Sequence, residues 1–379
     1  MTGDHPGRAV GESRRMRLIA LAVVAPIAVA AIVALVWLWP RGDGHTDFTS
    51  PAVELNADVV AIEDVACPDD IGEDSDRCGT ATLRLDASGG EVKADLPRGS
   101  SAPRVGVGDH VVVIQSVLSD GVHHAIVDHQ RSRGLWVLAV AFAAALIAFG
   151  RWRGVTALVG LAVTFGVLLL FVVPAILEGR PPLLVAMVAS AVIMVAVLYL
   201  THGFSLTTTV AFLGTLASFA LTGLLSAVAV AGLHLTGVTD DVSMSVEMTH
   251  HVDMAGLLLA GIVIGSLGVL DDVTVTQAVT VAELARANPG YGAGQLFRAG
   301  GRVGRSHIAS VVNTIVLAYG GASLPVLILT VAGNSSLGDV VTTQFIAQEI
   351  VRSGVATLGL VAAVPLTTGL AALVLRRPE

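Results

Sequence analysis

The chain has 379 residues, of which 54% are hydrophobic and only 14% charged. Soluble domains carry roughly 25% charged residues, and the many apolar runs of span length leave a polytopic helical membrane protein as the class that fits. The formal net charge is −8, and residues 43–133 alone hold 17 acidic and 7 basic residues, so the rest is close to neutral. No basic patch of the size needed for nucleic-acid binding remains.

In chain order, Arg8, Arg14, Arg15 and Arg17 precede the first apolar run, 18–39. Residues 1–17 are therefore expected to stay cytoplasmic. The run is longer than a signal-peptide core, and Trp37, Trp39 and Pro40 offer no small-residue cleavage site, so it reads as an uncleaved anchor.

Residues 41–133 form a polar domain, expected outside the cytoplasm. Val53, Leu55, Ala57, Val59 and Ala61 alternate with polar residues, as a half-buried strand does. Ala81 to Leu85 alternates too, Ser88-Gly89-Gly90 reads as a turn, and residues 91–96 follow as a strand. Val107-Gly108-Asp109 leads into the buried-strand pattern of residues 111–114. These pieces predict a small β-barrel or sandwich of five or six strands; an OB-like form is a fold analogy that carries no function. Cys67 and Cys78 lie in the same segment, where a disulfide closing an acidic loop is the natural reading. A metal thiolate site is disfavoured, with no CxxC pair and no nearby His. Seven acidic residues fall within 63–76 without EF-hand spacing. A solvated loop is the plain reading, and weak capture of divalent cations the sharper one. His123, His124 and His129 read as surface histidines.

Seven further apolar runs follow, at about 134–149, 155–176, 183–200, 206–233, 254–282, 306–332 and 346–375. They predict a seven-helix domain over 134–375, eight spans in all, and a short cytoplasmic C-terminus, 376–379. Cytoplasmic segments would then hold Arg151, Arg153, Arg286, Arg298, Arg302, Arg305, Arg376 and Arg377, whereas the short outer loops hold only Arg180. That asymmetry satisfies the positive-inside rule. Arg131 and Arg133, just outside the second span, are a mild counter-signal.

Asp271 and Asp272 sit within an otherwise apolar stretch, 255–281. A charge near the bilayer centre costs roughly 2.5–3.5 kcal/mol on insertion scales. Such a pair persists where it faces a protein interior or a water-filled path. Counting inward from the expected cytoplasmic loop, 283–305, Asp272 should share a layer with Asn313 and Thr314. Thr276 and Gln277 fall nearer the cytoplasm, and Tyr319 lies beyond Asn313. Gly261-x-x-x-Gly265 offers a face for close helix packing. Gly320-Gly321 and Pro325 predict a kink or break in the seventh span. Glu349 and Arg352 share one face of the last span near its outer end, as a local ion pair or a gate contact. The Asp pair itself reads as an ion, proton or solute site. Its rivals are an inter-helix clamp to Asn313 or Tyr319, and a helix that ends early. His250 and His251 point apart on a helix, which argues against chelation. Walker A, GxSxG, HExxH and Rossmann signatures are absent, so no enzyme and no cofactor is expected. The glycine-rich text at 290–301 reads as flexible turns.

The later spans resemble the YibE/F family of bacterial multi-pass membrane proteins. The matching text is Ile264-Gly265-Ser266-Leu267-Gly268-Val269-Leu270-Asp271-Asp272, similar to a Gly-x-Leu-Gly-x-x-x-Asp run that places the family's Asp on Asp272. It continues through Asn313-Thr314-Ile315-Val316-Leu317-Ala318-Tyr319-Gly320 with Leu324-Pro325. A third piece is Glu349-Ile350-Val351-Arg352-Ser353, with Gly359-Leu360 and Val364-Pro365. The polar domain matches mainly through Val107-Gly108-Asp109-His110-Val111. The resemblance implies an inner-membrane protein of about eight spans with an extracytoplasmic domain, both termini cytoplasmic. It supplies no substrate.

The leading expectation is a permease-like protein passing an ion or small solute between the last three spans. Asp272 would be its cation- or proton-binding group, with Asp271, Gln277, Asn313, Thr314 and Tyr319 around it. The alternative is a non-transporting module whose outer domain binds a partner or envelope component. An intramembrane hydrolase would need its two carboxylates on facing helices. The expected partners are the lipid bilayer and an unidentified ion or solute; a homo-oligomer or membrane partner is left open.

Overall fold

The computed structural model describes residues 14–42, 52–65, 67, 78–99, 102–118, 121–333 and 337–375. Two compact units emerge, His45–Gly154 and a helical unit comprising Met1–Gly44 with Val155–Glu379.

The first unit is a closed five-stranded barrel: β1 (Ala52–Val65), β2 (Cys78–Leu85), β3 (Glu91–Asp95), β4 (His110–Leu118) and β5 (Gly121–His129). The order around it is β1-β2-β3-β5-β4, closed by β1 against β4, an OB-like arrangement. Every pairing is antiparallel except β3 with β5. Strand alternation decides the core. Ala57, Val59, Ala81, Leu83, Val111 and Val113 point inward and are almost wholly buried. The fifth strand is less legible because only Ile126 of its residues is buried. At the β1–β2 register Asp64 opposite Gly79, a Cβ at Gly79 would run into the Glu63 carbonyl, so only glycine fits. A disulfide joins Cys67 to Cys78 at the start of β2. Helix α2 (Ser132–Gly150) follows the barrel in sequence, and none of its residues is buried.

The helical unit holds α1 (Arg14–Leu38), α3 (Trp152–Val167), a π-helical turn (Leu168–Val172), α4 (Val173–Leu177), α5 (Pro182–His202) and α6 (Leu206–Gly232). It continues with α7 (Asp241–His250), α8 (Met254–Ala287), α9 (Ala293–Ala322), α10 (Leu324–Ala332), α11 (Leu337–Thr342) and α12 (Gln344–Val374). Seven helical segments of the described chain are long and apolar enough to cross a membrane: Leu18–Leu38, Ser132–Gly150, Trp152–Leu177, Pro182–His202, Leu206–Gly232, Met254–Ala287 and Gln344–Val374. The eighth expected run, 306–332, is divided between α9 and α10 at Ser323. Pro325 lacks the N–H that would continue the α9 ladder, and Gly320-Gly321 weakens the turn before it.

The expected loop 283–305 is a correction. Only residues 288–292 lie outside helix there. Of the glycines read as flexible turns, Gly294, Gly300 and Gly301 lie within α9, and Gly300 is a packing position, as is Gly304 beyond them. A Cβ on Gly300 would stand 2.8 Å from Val281 Cγ2, and one on Gly304 would stand 2.8 Å from Gln277 Oε1.

Helices α6, α8 and α12 pack on one another. Within a bilayer burial of apolar surface does not drive helix association, so small residues and hydrogen bonds take over. On α6, Thr215, Ser218, Thr222 and Ser226 are fully buried or nearly so. Their hydroxyls donate to the carbonyls of Ala211, Gly214, Ser218 and Thr222. Gly214 abuts Thr367, and Gly359 abuts Thr222. Side chains are thus exchanged for glycine across α6 and α12 in both directions.

Candidate intramembrane site

Helix α8 is covered on most of its circumference. Between positions 261 and 283 its exposed residues are Gly261, Gly265, Gly268, Asp272, Thr276, Val279 and Glu283. Their spacing of three and four residues draws one stripe along a helix. A Cβ added at Gly261 or Gly268 would meet nothing within 4 Å. Asp272 therefore opens onto a smooth, uncovered strip made chiefly of glycine and polar residues.

Its neighbour turns the other way. Asp271 is half-buried, and its Oδ1 is a buried atom with no hydrogen-bond partner among the described residues. The backbone carbonyl of Asp271 accepts a bond from Thr274 Oγ1 at 3.1 Å, and Thr274 Oγ1 in turn lies 2.5 Å from Thr215 Oγ1 on α6. The helix carrying the carboxylates is thus fixed to α6, while one carboxylate oxygen stays unsatisfied.

The other expected residues separate into distinct groups. Gln277 is buried, and its Nε2 donates to the Gly300 carbonyl at 2.9 Å and to Thr368 Oγ1 at 2.7 Å. It ties α8, α9 and α12 together. Asn313 and Thr314 are exposed on α9; Thr314 Oγ1 donates to the Ser310 carbonyl of its own helix, and the Asn313 side chain makes no hydrogen bond among the described residues. Tyr319 is half-buried, and a Cβ on Gly265 would lie 3.2 Å from its hydroxyl. Gly265 precedes Asp271 by six residues, roughly 9 Å along a helix. Tyr319 is also within electrostatic reach of Arg352 and Glu349. Those two form an ion pair at 3.4 Å, with side chains 31% and 19% exposed, and Arg352 Nε is buried with no hydrogen-bond partner among the described residues. The Tyr319 hydroxyl thus stands against α8 at Gly265, six residues before Asp271.

Two features were not read from the sequence. In the barrel, Asp58, Asp86 and His110 bring ligand atoms within 4.8 Å of one another. His110 Nδ1 lies 2.7 Å from Asp58 Oδ1, and both side chains are well exposed. The strand register carries the signal, since it sets Asp58 opposite His110. In the helical unit, Arg298, Arg302 and Arg305 line a single cleft between α9 and α12. Their spacing of four and three residues was visible, but the expected loop hid its meaning.

A family model described as YibE/F-like protein matches residues 138–377. No curated protein and no solved structure matches the chain.

Proposed function

This chain belongs to the YibE/F-like family, and on that premise we propose that it is a permease-like integral membrane protein that moves an ion or small solute along the uncovered face of α8. The carrying observation is the aspartate pair inside a span, with Asp271 Oδ1 buried and unpartnered and Asp272 open on the glycine stripe. An ionised carboxylate accepts several hydrogen bonds. A purely structural clamp would have used the orphan oxygen, as the Gln277 amide is used. A site that binds a cation or proton leaves it available. Asp272 is the group the solute meets, Asp271 supports the same charge from within, and Gly261 and Gly268 keep the path open on either side of Gly265, where the Tyr319 hydroxyl approaches. The arginine distribution supports an inner-membrane orientation with both termini cytoplasmic and the barrel outside.

The test is uptake into proteoliposomes across a broad panel of cations and small solutes. Asp272→Asn is expected to abolish it, and Asp271→Asn to weaken it and shift its pH dependence. Full uptake by both variants would remove the reading. A second reading has one observation behind it: the barrel is a compact unit with its own core. It would act as a binding module held at the membrane. Rescue of a deletion strain by secreted residues 41–133 alone would favour it.

A further inference from the structure

The first half of α9 carries Arg298, Arg302 and Arg305 on one face, where they border a cleft of about 420 Å³ shared with α12. Among the described residues none of the three has an acidic partner. The nearest acidic residue in sequence, Glu283, is paired with Arg286. Three arginines without an acidic partner at the border of one concavity suit a phosphate-type anion, which arginine binds through paired N–H donors.

The rest of the lining is apolar. Phe297 and Ile308 from α9, with Val361, Val364 and Pro365 from α12, form the walls. Ile308 and Val364 lead on into the packed interior of the bundle, where they join the same apolar cluster. A free inorganic anion would gain from the arginines but nothing from these walls. A ligand with a phosphate head and a hydrocarbon tail uses both. Arginines serving only to orient the protein in the bilayer would have no reason to converge on a cleft.

We propose that the α9–α12 cleft binds one anionic phospholipid, its headgroup phosphate held by Arg298, Arg302 and Arg305 and its acyl chain laid along Ile308, Val361 and Val364. Basic pockets between spans at a membrane face are suited to such headgroups. The site is independent of the aspartate pair.

The full-length protein in neutral detergent is titrated with phosphatidylglycerol, phosphatidylcholine or inorganic phosphate, and retained lipid is counted by native mass spectrometry. The wild type is expected to hold one phosphatidylglycerol with about tenfold or greater preference over phosphatidylcholine. Arg298→Gln/Arg302→Gln/Arg305→Gln is expected to lose that preference. Gly301→Phe keeps all three charges and puts a ring into the cleft, since a Cβ at Gly301 meets nothing within 4 Å; it is expected to lose the lipid as well. Wild-type retention by Gly301→Phe would show diffuse surface charge and overturn the proposal, as would retention by the triple variant. Displacement of the lipid by millimolar inorganic phosphate would assign the cleft to a free anion and overturn the lipid assignment.

Discussion

Gly359→Ala tests how the helical unit is held together. A Cβ at Gly359 would run into Thr222 Oγ1 and stand 3.2 Å from Thr222 Cβ. Thr222 has no exposed surface, and its hydroxyl is held by a 2.8 Å bond to the Ser218 carbonyl, so it cannot swing aside without losing that bond. The helices must part or the threonine must leave its rotamer, at a cost of about 1–3 kcal/mol for an overpacked interface. Thr222→Ala alone gives up one hydroxyl bond, about 0.6 kcal/mol by the average for membrane helices. It also removes Oγ1 and Cγ2, so that of the atoms the new methyl group meets only Cβ remains, at 3.2 Å. Gly359→Ala/Thr222→Ala should therefore recover most of the loss, with a coupling of about 1–2 kcal/mol in a double-mutant cycle. The assay is unfolding in mixed micelles of rising dodecyl sulfate fraction, followed by helical circular dichroism. A Gly359→Ala protein as stable as the wild type, or strictly additive effects in the cycle, would refute the close α6–α12 contact.

Three other outcomes follow from the geometry. Gln277→Leu strips two bonds from the α8–α9–α12 junction and should cost about 1–2 kcal/mol in the same unfolding assay; solute uptake should persist, and its loss at unchanged stability would move Gln277 into the solute path. Cys67→Ser/Cys78→Ser opens the loop between β1 and β2 and should cost the barrel about 2–4 kcal/mol, read as a lower melting temperature that reducing agent no longer changes. In the barrel, Arg131 donates to Asp128 at 2.6 Å and the His129 amide donates at 2.8 Å, which together hold the Asp128 carboxyl below its ordinary value of 3.8. A lowered folded value means these contacts are intact above about pH 4 and fade as pH falls through the lowered one. A carboxyl NMR titration should place the Asp128 midpoint below 3.8, and Arg131→Gln should raise it; a midpoint unmoved by that change would break the assignment. The group is exposed, so the effect should shrink at high salt.

Local periodicity carried much of the architecture. The apolar runs, the strand alternation at Val53–Ala61 and Ala81–Leu85, and the break near Pro325 each depend on residues only a few positions apart. The strand β5 and the helical start of α9 were not legible in the same way. Only Ile126 of β5 turns inward, so its alternation is faint. The glycines of α9 look like loop text until Gln277 and Thr368 are set against them from 23 residues away along the chain and, between themselves, 91.

The sequence by itself determined that two carboxylates lie within a long apolar run, that arginines gather in some of the gaps between such runs and not in others, and that a polar β-unit follows the first run. Those are matters of composition and repeat, which any segment expresses alone. Only the tertiary structure decided that Asp271 is tucked inward while Asp272 opens onto a glycine strip. It also decided that the Tyr319 hydroxyl stands against Gly265, and that three arginines share a cleft with Val361 and Pro365. Which side of a helix is covered depends on neighbours distant in the chain, and no local pattern records where they pack.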